Sequence, residues 1–226
     1  MEGRSLEKKK SSLILAVVLL IITVCFTILV CVVDKQPASN GTEVGFATLN
    51  EGFKDALGEP GKFAELMDKL TDGVMVIAIL AAFSFVVIGA IQLVQRKSLL
   101  KVDKAILVLA GVYVVMIVLY VFFDKVPINY RPYLAPGELE LEASFPSTHT
   151  LVICTVLGTA LVAWGRVFSD KKKLVSILRI LAFVLMICGV AGRILAGVHW
   201  ITDIVAGLLF SATLTVIYTA VLDRVE

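Results

Sequence analysis

Only two histidines occur in the 226-residue chain, His149 and His199, and each stands among polar side chains at the end of a long apolar run. His149 closes the stretch Pro146-Ser147-Thr148-His149. His199 lies between Arg193 and Asp203. A third polar cluster comes earlier, from Lys125 through Asn129 and Tyr130 to Arg131 and Pro132. Imidazole suits both proton transfer and nucleophilic attack near neutral pH. Arg131 and Arg193 carry planar forks that match phosphate oxygens, and Ser147 can donate a hydroxyl. A helix starting near Thr148 and His149 would add free backbone N–H groups and a favourable dipole. These groups suit phosphate chemistry at a membrane surface. One histidine would attack phosphorus and the other would protonate the leaving oxygen. The arginines and amides would carry the developing charge without a metal.

Each cluster also has a plainer reading. Arg131 can contact lipid headgroups or solvent. Ser147 can simply cap a helix. His199 and Asp203 are four residues apart, so one helical face can hold both. The carboxylate then either orients an imidazole for attack or makes a structural hydrogen bond. Asp203 sits inside an apolar run, where an ionisable side chain is costly and marks a functional candidate.

The elements that must position these residues are membrane helices. The chain is 58% hydrophobic, with a mean hydropathy of +0.93. Six runs approach the roughly 20 residues needed to cross a bilayer, at about 12–33, 74–95, 104–123, 147–167, 174–196 and 201–222. The expected architecture is all-α, a polytopic six-helix bundle forming one domain over residues 1–226. The first run is too long for the core of a secretory signal and reads as a retained span. No nucleic-acid module or Gly-rich phosphate loop appears.

Basic residues gather at three connections: Arg4, Lys8, Lys9 and Lys10; Arg96, Lys97, Lys101 and Lys104; and Arg166, Lys171, Lys172 and Lys173. Six spans put all three groups on one side, and the positive-inside rule makes that side cytoplasmic. The opposite connections, 34–73, 124–146 and 197–200, hold or adjoin the three chemical clusters, so the site is expected to face outward. Within 34–73, Phe46, Leu49, Phe53, Ala56 and Leu57 recur at helical spacing, and Gly58 and Pro60 interrupt them. Phe63, Leu66, Met67 and Leu70 resume the pattern between Glu65, Asp68 and Lys69. This predicts two short amphipathic helices along the membrane surface. They form either a rim for a lipid substrate or a lid packed on the bundle. Asn40-Gly41-Thr42 matches a glycosylation sequon. Cys25, Cys31, Cys154 and Cys188 lack the spacing of a metal site and read as small buried apolar residues.

The three clusters resemble the tripartite signature of the type 2 phosphatidic acid phosphatase family, K-x6-R-P, P-S-G-H and S-R-x5-H-x3-D. The resemblance covers roughly residues 74–222. It implies a six-helix, metal-independent phosphatase without cofactor, in which His199 forms a phosphohistidine, Asp203 orients it and His149 protonates the departing oxygen. It also implies that Arg131, Ser147 and Arg193 bind phosphate, with Thr148 and Lys125 beside them. Three positions depart from the pattern. Lys125 is six residues before Arg131 instead of seven, with Asp124 at the expected place. Thr148 replaces a glycine. Gly192 replaces a serine.

The expected function is hydrolysis of a lipid phosphate or diphosphate at the outer leaflet: a polyprenyl diphosphate, phosphatidylglycerol phosphate or phosphatidic acid. The expected partners are that lipid and the surrounding membrane, with no nucleic acid. The compact chain and the resemblance point to a bacterial cytoplasmic membrane. Two other functions use the same residues: phosphoryl transfer to another hydroxyl, and lipid-headgroup binding or transport without turnover.

Overall fold

The computed structural model describes residues 2–134 and 138–225. The side chains of residues 2–6 and Lys8, including Arg4, lie outside the description, as do residues 135–137 in the connection between the third and fourth spans. Seven helices account for most of the described chain: α1 (Glu2–Val32), α2 (Ala47–Leu57), α3 (Lys62–Arg96), α4 (Lys104–Lys125), α5 (Thr148–Val167), α6 (Lys172–Ala196) and α7 (Ile201–Val225). Two two-residue strands, β1 (Gln36–Pro37) and β2 (Glu43–Val44), pair antiparallel between α1 and α2. All the helices but α2 are long and apolar enough to cross a membrane.

The connection between α1 and α3 contains one short amphipathic helix, α2. The second segment predicted there, Phe63 to Leu70, forms the opening turns of α3 and continues directly into the second span. Thr71-Asp72-Gly73 contains no proline or charge run to stop it, so the helix reaches 35 residues. Its first turns carry Asp68, Thr71 and Asp72.

The bundle is built around α5, which packs against α3, α4, α6 and α7 and is buried along most of its length. Leu151, Leu157, Ala160 and Trp164 of α5 meet Ala78 and Phe85 of α3, Leu109 of α4, and Leu214 and Tyr218 of α7 in one continuous core. The Tyr218 hydroxyl is buried and donates to the Ala105 carbonyl at 3.1 Å, which removes an otherwise unpaired polar group from the interior. The outermost helix, α1, lies against α7. Buried Thr23 and Thr213 share a 2.8 Å hydrogen bond there, a contact that contributes about 1 kcal/mol between helices in lipid.

The outer surface is strongly apolar, as a lipid-facing surface must be. Leu80, Phe83 and Val86 of α3, Ile117 and Val118 of α4, and Ile180 and Phe183 of α6 all point outward. Cys25 and Cys188 belong to this exposed surface, contrary to the expectation of burial; Cys154 is buried. A helix surrounded by lipid has no need to hide a small apolar residue inside the bundle.

Candidate active site

The three connections 33–61, 126–147 and 197–200 meet at one end of the bundle. A narrow ladder organises the middle one. Arg131 N–H donates to the Glu142 carbonyl at 3.0 Å, and Ser144 N–H donates to the Asn129 carbonyl at 2.9 Å. Buried Trp200 pins this ladder by donating its indole N–H to the Tyr130 carbonyl at 2.7 Å. Asn40, the sequon residue, donates to the Arg131 carbonyl at 2.9 Å. Asn50 of α2 is buried and donates to the Thr202 hydroxyl at 2.9 Å, tying α2 to the start of α7.

His199 sits in the turn between α6 and α7. Gly197 makes that turn possible with φ near 66°, a left-handed conformation that costs glycine little. The imidazole is buried, and its Nδ1 lies 3.1 Å from the Ser144 carbonyl oxygen. A carbonyl can only accept, so Nδ1 carries the proton and Nε2 carries the free electron pair. Nε2 is buried and has no hydrogen-bond partner among the described residues. Burial first, then the charges of Arg193 and Arg131, hold this imidazole well below the usual histidine range. His199 is therefore neutral near pH 7, with its lone pair available.

Asp203 does not hold the ring directly. Its Oδ2 is 3.8 Å from His199 Nδ1, beyond hydrogen-bond reach. It accepts from the Trp200 N–H at 3.1 Å and from Asn129 Nδ2 at 2.9 Å. The fully buried carboxylate thus braces the turn that carries His199 and joins it to the Asn129–Arg131 segment. The expected direct His199–Asp203 hydrogen bond is replaced by the Ser144 carbonyl, which the sequence pattern could not reveal.

Ser147 is fully buried and caps α5, accepting from Thr150 N–H at 3.5 Å and from the Thr150 hydroxyl at 3.0 Å. Its own N–H donates to the Asp203 carbonyl at 2.9 Å, which locks the start of α5 to the start of α7. One turn into α5, His149 Nε2 lies 2.8 Å from Asp72 Oδ1 of α3. Its Nδ1 is buried without a protein partner.

Arg193 is fully buried at the end of α6. Its Nη1 donates to Asp68 of α3 and, at 3.2 Å, to the Thr71 hydroxyl, while Nε and Nη2 remain without partners. The preceding residue explains how α6 comes this close. A Cβ on Gly192 would lie 2.5 Å from Thr71 Cγ2, so the serine of the family pattern does not fit this crossing unless Thr71 shifts. Arg131 pairs through Nη2 with Glu142 at 2.8 Å and leaves Nε buried and unpaired. Lys125 stands apart. Its side chain is 76% exposed and pairs with Asp124 at 2.8 Å, at the last turn of α4.

The sequence clusters therefore converge, apart from Lys125. His149, Arg193 and Arg131 all act electrostatically on His199. Asp68, Thr71 and Asp72 complete the site from α3. Asp68 and Asp72 lie four apart at the head of a long apolar helix, a pattern that marks functional carboxylates in spans. Of the cavities that adjoin the site, two share Tyr120 and Thr148. One, of about 620 Å³, is lined by Lys125, Arg131 and Glu142. The other, of about 470 Å³, is apolar and runs between α3, α4 and α5 past Met75, Ile79, Met116 and His149.

Comparison with known proteins bears on the fold and the family. The fold is similar to that of a transmembrane PAP2-type phosphatidylglycerolphosphate phosphatase from Bacillus subtilis, known from a crystal structure. The TM-score is 0.64 at 19% sequence identity, covering 93% of this chain and 97% of that one. No curated protein sequence matches the chain significantly. The family model of the PAP2 superfamily matches residues 73–226, a span that includes both histidines, both arginines and Asp203, and the chain belongs to that superfamily.

Proposed function

We propose that this protein hydrolyses a lipid phosphate or diphosphate through a phosphohistidine on His199. One observation carries the reading. Buried nitrogens on His149, Arg131 and Arg193, and the lone pair on His199 Nε2, lack partners among the described residues at one site, although buried polar groups are almost always paired. A tetrahedral phosphate supplies acceptors for the arginine N–H groups and protonated His149, and an electrophilic phosphorus for the His199 lone pair.

His199 Nε2 attacks phosphorus and forms the N–P bond as the bond to the lipid oxygen breaks. Protonated His149 donates from Nδ1 to that oxygen, and an alcohol leaves, or a lipid monophosphate if the substrate is a diphosphate. Water then attacks the phosphohistidine and gives its proton to His149. Inorganic phosphate departs, and both imidazoles return to their starting forms. Arg193 through Nε and Nη2, and Arg131 through Nε, neutralise charge on the phosphoryl oxygens. Ser147 and Thr148 present the N-terminus of α5 to the same charge, and Asp203 maintains the turn that aims His199. Lys125, exposed at the polar cavity, contributes only long-range attraction.

The apolar cleft between α3, α4 and α5 suits a lipid tail, with the headgroup toward Arg131. The Bacillus subtilis neighbour acts on phosphatidylglycerolphosphate, which makes that lipid the first candidate, beside a polyprenyl diphosphate and phosphatidic acid. The basic connections at the far end of the bundle support a multi-pass orientation in a bacterial cytoplasmic membrane with the site facing outward. Phosphate release by the purified protein from these three lipids, with and without chelator, tests the proposal. Release that persists in chelator and stops with vanadate supports it. Release that requires an added divalent ion contradicts the metal-independent mechanism, and no release from any lipid contradicts the phosphatase reading.

A further inference from the structure

Resting on that reading, we infer that Asp72 of α3 is the positioning residue for the acid His149, a role that none of the three sequence clusters fills. The carboxylate oxygen lies 2.8 Å from His149 Nε2 and can only accept, so Nε2 keeps its proton in every state of the ring. The second proton then enters and leaves through Nδ1, which has no protein partner. Asp72 thus selects the atom that meets the leaving oxygen. Its charge also stabilises the imidazolium that must exist before the proton is delivered.

The surroundings make this pairing specific. Asp68, also on α3, is committed to Arg193. Arg193 of α6 brings a second cation near the ring. Tyr113 and Tyr120 of α4 line the cleft that His149 shares. Among these groups only Asp72 hydrogen-bonds the ring. The two aspartates lie one turn apart, so a single rigid helix sets both the phosphate-facing arginine and the acid. The continuity of α3 through residues 62–96 is what makes this coupling possible.

The test uses the full-length protein with Asp72→Ala and Asp72→Asn, single-turnover kinetics and ¹⁵N-histidine NMR. The chain has only two histidines, so two ring systems are seen. Asp72→Ala should lower the single-turnover rate on an alkyl phosphate lipid about 10–10²-fold, below the roughly 10²–10⁴-fold typical of losing a general acid outright. The loss on an activated aryl phosphate should be several-fold smaller, with little change in KM for either substrate. The His149 signals should change from a fixed Nε2–H tautomer to a mixture. Asp72→Asn, whose amide oxygen still accepts, should restore the tautomer and only part of the rate. Equal losses on both substrates, or an unchanged His149 tautomer in Asp72→Ala, would overturn the assignment. A wild-type protein that releases no phosphate from any lipid overturns the mechanism as a whole, and the tautomer signals still report separately whether the pair forms.

Discussion

The two histidines occupy opposite environments at one site. His199 belongs to a turn held by main-chain and buried contacts: Ser144 carbonyl on the ring, Asp203 on the Trp200 N–H, Gly197 at the bend. Its side chain is 2% exposed. His149 is on the first turn of α5, is 15% exposed, and is held by one side chain, Asp72, that is itself 60% exposed. The buried ring is kept neutral with one lone pair in a fixed direction, which a nucleophile requires. The half-open ring borders the apolar cleft and can exchange a proton, which an acid serving a lipid leaving group requires. Position and protonation are thus divided between two regions instead of being combined in one residue.

The strongest way to break this division is to remove the rings in turn. His199→Ala should abolish turnover on every substrate, because no covalent intermediate can form. His149→Ala should cost about 10²–10⁴-fold on an alkyl phosphate lipid and much less on a diphosphate or an aryl phosphate, whose leaving groups need little protonation. Single-turnover rates on a good and a poor leaving group separate the two roles. Similar, leaving-group-independent losses at both positions would erase the contrast.

A smaller effect sharpens the account of Asp203. It braces the turn without hydrogen-bonding the imidazole, so Asp203→Asn should act through geometry. A displacement near 1 Å costs on the order of 10²-fold. The loss should fall equally on good and poor leaving groups, measured as kcat/KM for both.

The pH dependence follows from burial of His199. Its folded form resists protonation below the ordinary value of about 6.5. In the proposed mechanism the neutral ring attacks, so the acid limb of kcat/KM for an aryl phosphate should lie below about pH 6.5. The unfolded chain takes up the proton that folded His199 refuses, so this residue makes stability fall as pH drops through that range. Arg131→Gln removes one of the depressing charges and should move the acid limb upward. Lys125→Ala should have the least effect, within a few-fold in kcat/KM at moderate salt, because an exposed ion pair contributes about 0–1 kcal/mol.

Much of this was legible in the chain because apolar length alone requires the six helices, and ionisable residues inside such runs are costly enough to be informative. Arg193 and Asp203 stood out for that reason, and His149 and His199 as the only two histidines of the chain, each in a polar cluster at the end of an apolar run. The partners on α3 did not. Asp68 read as part of the polar face of a surface helix and Asp72 gave no signal, since the α3–α6 crossing at Gly192 that buries Arg193 against Asp68 is a tertiary fact. The Ser144 carbonyl left no signal at all, because every residue has a carbonyl and only the fold decides which one meets an imidazole. Lys125 has the type and approximate spacing that suit phosphate; the last turn of α4 leaves it exposed and paired with Asp124, in the cavity lining it shares with Arg131.

The most direct measurement of the central claim is to trap the intermediate. The protein is mixed with a lipid or aryl phosphate carrying labelled phosphorus and quenched within one turnover. The label should stay on the protein as an acid-labile, base-stable adduct, map to the peptide containing His199, and be absent from His199→Ala. In His149→Ala it should still form from the aryl phosphate. Label retained by His199→Ala, or mapped to any other residue, would contradict the account.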